Sequence, residues 1–234
     1  LKPRKFKKGN ELPSGFRDQE GYWYGIFYDP TVFLINQNYA RTVGQKAITG
    51  WADLQNLKEP RICMENLSNS ISTQNFLGAF ADNVGEQTSL TYFWNLNRFN
   101  NEYGKFPFST VRKTAVGDAD IGITRQSYVF KYLENKFPAY VIIPKEGTPI
   151  DLYGMGLFRD CANESKAQIF MEWLMTSSDM QIFSQQMQTG YEFLVNDAGK
   201  INKTEGLWLN NSYLTWKAQE DLTNRWLDIV RFSK

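Results

Sequence analysis

Residues 114–133, TAVGDADIGITRQSYVFKYL, end a short apolar run at Ile123 on Arg125, Ser127 and Tyr128. In an open α/β sheet the carboxyl ends of strands line the crevice where ligands sit. A guanidinium there presents a fixed fork of donors suited to carboxylate or phosphate. A phenolate is a hard oxygen donor that suits a trivalent cation, whose charge lowers the phenol's pKa on binding. A second cluster, LSNSISTQN at 67–75, sets Ser70, Ser72 and Thr73 before a helical pattern. Unpaired N–H groups and the dipole at such a helix start favour an anion. A third, Phe27-Tyr28-Asp29-Pro30, offers the Asp29 carboxylate to a cation or an amine. Each also has an ordinary structural use: an exposed arginine, a tyrosine packed at a helix start, hydroxyls that cap a helix, an aspartate that forms a turn.

The surrounding elements alternate strands with helices. YWYGIFYDPTVFLIN (22–36) reads as a strand, a turn at Asp29-Pro30 and a second strand whose continuous apolar run fits burial on both faces. A loop and short helix around Trp51 and Leu54 follow, then a buried strand in RICMEN (61–66), a helix holding Phe76, Ala79 and Phe80, and a second helix over about 86–99. STVRKTAVGDADIGI gives a helix and a strand, and Tyr128 begins a helix that Pro138 closes. AYVIIP and residues 150–157 read as further strands, before a helix capped near Asn163 with Ala167, Phe170, Trp173 and Leu174 on its inner face. Leu214, Ala218, Leu222, Trp226 and Ile229 recur at helical spacing near the end. The class is α/β with largely parallel pairing.

Composition narrows the chemistry. The 234 residues are 42% hydrophobic and 22% charged with a formal net charge of +1, unlike a nucleic-acid binder with its basic face. The basic opening LKPRKFKK reads as a solvated tail or, less simply, a contact arm. No apolar run reaches the length of a membrane span, and no signal peptide is visible. Histidine is absent, which removes Ser-His and Cys-His nucleophiles, HExxH zinc sites and every imidazole base. Cys63 and Cys161 are far apart without CxxC spacing, so a cysteine metal cluster is excluded; free, partly buried thiols are expected, with a disulfide as the alternative if the two meet in space. There is no phosphate-binding glycine loop. Aromatic residues make up 15%, with seven Trp and twelve Tyr, a composition that suits binding clefts more than catalysis.

Read in order, several stretches resemble the extracellular solute-binding proteins of ABC importers. These are Gly21-Tyr22-Trp23 followed by TVFLIN; Trp51-Ala52-Asp53-Leu54 followed by Pro60-Arg61-Ile62; Ala115 to Ile123; Tyr153-Gly154-Met155-Gly156 followed by CANESKAQIFMEWLMTSSDMQIF; and YEFLVN (191–196), where Leu194 stands in place of the family's proline. The order holds over about residues 20–232, and the subgroup it most resembles contains the ferric-iron-binding proteins, or bacterial transferrins.

The resemblance implies a two-lobe periplasmic-binding-protein fold of type II, with the first lobe incomplete because the family's opening strand–helix units have no counterpart here. It implies lobe one at 20–37 and 147–205 and lobe two at 38–146 and 206–234, with crossings near 36–40 and 146–150. It implies a binding protein rather than an enzyme, capturing a small ligand and delivering it to a membrane permease. The location would be periplasmic or extracytoplasmic, with lipid anchoring as one form of attachment. No resident cofactor is implied; ferric iron with a synergistic anion would be cargo, and a small organic or phosphorylated anion without metal is the alternative. In the iron-binding subgroup two adjacent tyrosines coordinate iron; here the first is Tyr128 and the second position holds Val129, so the metal ligand implied is Tyr128, with Tyr28 or Tyr153 as a neighbour. The unpaired strand edges of an incomplete lobe imply pairing between copies. A carboxylate-based enzyme using Asp118, Asp120 and Asp151 is disfavoured, since the family carries the same acidic pattern without catalysis.

Overall fold

The computed structural model describes residues 1–44, 48–133, 137–187, 189–196 and 198–232. Residues 45–47, within the loop expected before Trp51, lie outside that set. In chain order the elements are α1 (Lys7–Glu11), β1 (Tyr24–Asn36), α2 (Gln37–Val43), α3 (Trp51–Leu54), β2 (Ile62–Glu65), α4 (Ile71–Val84) and α5 (Glu86–Asn97). Next come β3 (Asn100–Gly104), α6 (Pro107–Val116), β4 (Ile121–Arg125), α7 (Gln126–Leu133), β5 (Ala139–Ile142) and β6 (Thr148–Met155). The chain ends with α8 (Glu164–Thr176), α9 (Asp179–Gln186), β7 (Glu192–Phe193), β8 (Leu207–Trp208) and α10 (Trp216–Trp226), which runs into a π-helical turn at Leu227–Arg231.

The chain divides into two compact units, Leu1–Asp29 with Leu152–Glu205, and Pro30–Asp151 with Gly206–Lys234. The boundaries fall inside strands β1 and β6, between Asp29 and Pro30 and between Asp151 and Leu152, rather than near 37 and 147 as expected from sequence. The expected turn at Asp29-Pro30 does not form. β1 is one strand of 13 residues in which both are buried. It pairs with β7 as far as Tyr28 and with β4 from Thr31 onward, so the proline that lacks an N–H falls between two ladders.

In the larger unit β3, β2 and β4 run parallel, while β4 and β5 pair antiparallel to β1. The pairing is therefore mixed rather than largely parallel. β1 is buried on both faces, as its unbroken apolar run requires. Phe33 and Ile35 join Ile62, Ile121, Ile123, Phe80, Phe93 and Trp226 in the main core. Val32 and Leu34 face a smaller cluster with Val111, Val129 and Ala139. Gly122 lets α6 close on the sheet, since a Cβ there would stand 2.6 Å from Thr114 Oγ1. The last helix contacts α4, as its spacing suggests. Its π turn shifts the inward position from Ile229 to Val230, and Leu214 is exposed ahead of the helix.

The smaller unit builds on the first half of β1 with β7. The basic opening segment is not a free tail: Lys2 N–H bonds Leu157 O at 2.8 Å, Arg4 N–H bonds Gly21 O at 2.9 Å, and Tyr24 Oη donates to Arg4 O at 2.7 Å. Helix α8 buries Met171 and Met175, whereas Phe170 is 56% exposed and stacks on Trp173. Its inner face is thus one residue round from the expected stripe, because α1 packs there and Gly9 meets Met175. Cys63 and Cys161 carry free thiols.

Two outcomes test this core. Trp51 is met edge-on by Phe33 and Phe80, and its Nε1 donates to Gly147 O at 2.9 Å. Trp51→Ala is expected to cost about 3–5 kcal/mol in urea unfolding followed by circular dichroism; a loss below about 1 kcal/mol would show the site is peripheral. Burial pushes the Tyr103 phenol up to about 12, against the opposing pull of Arg231. A raised folded-state value means the stabilisation is complete below the unfolded value of 10 and is lost as pH rises through about 12. Melting temperature should therefore decline over that alkaline window, and Tyr103→Phe should flatten part of the decline. An identical decline in the variant rejects the assignment.

Candidate functional site

Parallel β2 and β4 end side by side, which sets Glu65 and Arg125 at the same edge of the sheet. Arg125 is 6% exposed. Its Nη1 lies 3.4 Å from Glu65 Oε1, and its Nε lies 2.5 Å from Asp151 Oδ2, supplied by β6. The same Asp151 oxygen accepts the Ser72 hydroxyl from the first turn of α4. Burial by itself would lower the Arg125 pKa, but the charges of Asp151 and Glu65 outweigh it and hold the guanidinium above its usual value. A cavity of about 20 Å³, lined in part by Thr31, Glu65, Thr73 and Arg125, opens beside the pair and has room for one water molecule.

The hydroxyl cluster divides its labour. Ser70 Oγ accepts from Thr73 N at 3.2 Å while Thr73 Oγ1 accepts from Ser70 N at 3.1 Å, a reciprocal cap that secures the start of α4. These two serve the helix, and Thr73 is buried. Ser72 is the one that reaches Asp151.

Ser127 and Tyr128 follow Arg125 in the first turn of α7. Ser127 is buried. The Tyr128 ring centre lies 5.8 Å from the Arg125 guanidinium carbon and meets Phe108 edge-on at 5.2 Å. Val129 is fully buried in the Val32–Leu34–Val111 cluster, so this position serves the core.

The remaining candidates belong to the smaller unit. Tyr28 pairs across the strands with Glu192, and burial together with that carboxylate raises its pKa, which opposes phenolate formation. Asp29 is buried in β1. Tyr153 is 40% exposed and stacks on Phe27 at 5.0 Å, with Tyr191 at 5.5 Å. Among the described residues no group of three or more histidine, cysteine, aspartate and glutamate side chains could hold a metal ion. No described helix is long and apolar enough to cross a membrane.

The structure therefore joins Arg125 and Ser72 of the expected set and adds Glu65 and Asp151, which the strand-end pattern did not reveal. The only local signal for Glu65 was an acidic residue at the end of an apolar strand.

Residues 1–210 match the family model described as bacterial extracellular solute-binding protein. An uncharacterized protein of Haemophilus influenzae is 22% identical over 254 residues, covering 100% of this chain and 71% of that protein. Iron uptake protein A1 of Synechocystis is 21% identical over 206 residues, covering 82% of this chain and 55% of that protein. Among solved structures, the periplasmic binding protein AfuA of Actinobacillus pleuropneumoniae, with exogenous fructose-6-phosphate bound, superposes with a TM-score of 0.73 at 19% identity, over 100% of this chain and 77% of that one.

Arg125→Met keeps the volume near Tyr128 but leaves two carboxylates facing each other. It should cost about 3–5 kcal/mol in urea unfolding, the range for breaking a buried pair. A cost under about 1 kcal/mol would show that the guanidinium is not the partner that compensates them.

Proposed function

Because this chain belongs to the bacterial extracellular solute-binding proteins, with the type II periplasmic-binding-protein fold, and so captures solute for an ABC importer outside the cytoplasm, we propose that its solute is a small hydroxylated organic molecule bound without a metal. The observation that carries this is the Arg125 guanidinium held between Glu65 and Asp151, with the Ser72 hydroxyl on the same Asp151 oxygen. A hydroxyl both donates and accepts, so it can bridge a guanidinium and a carboxylate and leave neither unpaired. A bare anion only accepts, and would meet two carboxylates. A bare cation would meet the guanidinium. Sugars and sugar phosphates are the solutes whose hydroxyl patterns fit this alternation, and AfuA, of similar fold, is described with fructose-6-phosphate bound. The carboxylates here serve structure and binding rather than acid–base chemistry; Asp120, for example, pairs with Arg61 at 2.6 Å.

Ferric iron with a synergistic anion is the second reading. Tyr128 beside Arg125 favours it, and the similar Synechocystis protein is named for iron uptake. Against it stand a buried valine at position 129 and a Tyr28 phenol pushed away from ionisation.

Calorimetric titration with fructose, fructose 6-phosphate and ferric citrate separates the two. The proposal expects binding heat from a hydroxylated probe and no visible charge-transfer band with ferric citrate. A coloured ferric complex abolished by Tyr128→Phe, with no response to the sugars, would establish the iron reading instead.

A further inference from the structure

Asp151 holds an unusual position. Its Oδ2 accepts from both the Arg125 guanidinium and the Ser72 hydroxyl, at the beginning of a 14-residue helix. Guanidinium, hydroxyl and helix start are three features that favour an anion. The anion found among them is a carboxylate of the chain itself. Glu65 takes a second nitrogen of the same guanidinium, at 3.4 Å, so two carboxylates meet one guanidinium. Both carboxylates and the guanidinium are largely withdrawn from water, with side-chain exposures of 9%, 12% and 8%. Their charges are therefore weakly screened.

We propose that Asp151 is a specificity-determining residue: a tethered carboxylate that fills the anion position of this cluster and confines the solute there to groups that donate as well as accept hydrogen bonds. A hydroxyl can pair with Asp151 as donor and with Arg125 as acceptor. A fully ionised sulfate, phosphate ester or carboxylate can do only the second, and meets repulsion from Asp151 and Glu65. If the solute carries a phosphate, that phosphate binds away from this cluster. The inference rests on the reading that the cluster faces the solute, but its test uses a probe independent of which solute is right.

The probe is inorganic sulfate, which carries no proton near neutral pH, titrated calorimetrically into the full chain. The wild type should show no binding in the millimolar range. Asp151→Ala removes the charge and empties the anion position, and should bind sulfate at least about tenfold more tightly. Glu65→Gln removes the same charge but leaves the anion position filled, and should gain less than about threefold. Equal gains in the two variants would show a general charge effect and overturn the positional claim. Unchanged sulfate binding in a folded Asp151→Ala, checked by its melting curve, would overturn it as well. Should that variant fail to fold, Asp151→Ser, which keeps a hydroxyl beside Ser72 and Arg125, takes its place under the same tenfold criterion, and sulfate binding by the wild type at micromolar concentration overturns the claim without any variant. Failure of the hydroxylated-solute reading would register in the sugar titrations and leave these sulfate outcomes intact.

Discussion

The guanidinium of Arg125, wedged between Glu65 and Asp151, is the constraint from which the rest of the larger unit's site follows. Desolvating three charges is costly, and a buried pair contributes to stability only when its geometry is good and its remaining polar atoms are satisfied. The sheet supplies that geometry. Parallel β2 and β4 bring two strand ends to one edge, and β6 delivers Asp151 there. Ser72 then takes up the carboxylate oxygen that Arg125 shares. Hydrophobic replacement of such a cluster is often no less stable, whereas removal of one partner alone leaves an uncompensated buried charge.

The same arrangement shapes what this edge can recognise. Tyr128 contributes a ring against Phe108 and the guanidinium, while Val129 turns inward to the core behind β1. A pair of adjacent phenolates cannot be presented from this helix start. What remains at this edge of the larger unit is one guanidinium, two carboxylates and the Ser72 hydroxyl on Asp151.

Much of the frame was legible in the chain. Alternation and burial on both faces of β1 follow from TVFLIN, and the strand-to-helix step at Ile121–Tyr128 follows from an apolar run ending on polar residues. The Ser70–Thr73 cap could equally be read from its spacing. The partners of Arg125 could not. They lie 60 residues before it and 26 after it, and only the order of strands in the sheet brings them together. Asp29-Pro30 misled because its composition signals a turn, whereas a change of pairing partner lets a single strand carry the proline. The inner faces of α8 and of the final helix shifted for tertiary reasons: packing against α1 in one, and a π turn in the other. Local periodicity carries no information about either.

The most direct measurement of the central claim is a double-mutant cycle on unfolding free energy between Arg125→Met and Asp151→Asn. If the two side chains are mutually dependent parts of one buried cluster, their coupling energy should be about 1.5–3 kcal/mol, with the second substitution costing little once the first is made. A coupling within about 0.3 kcal/mol of zero would mean that they act independently, and that the cluster on which the site depends does not exist in solution.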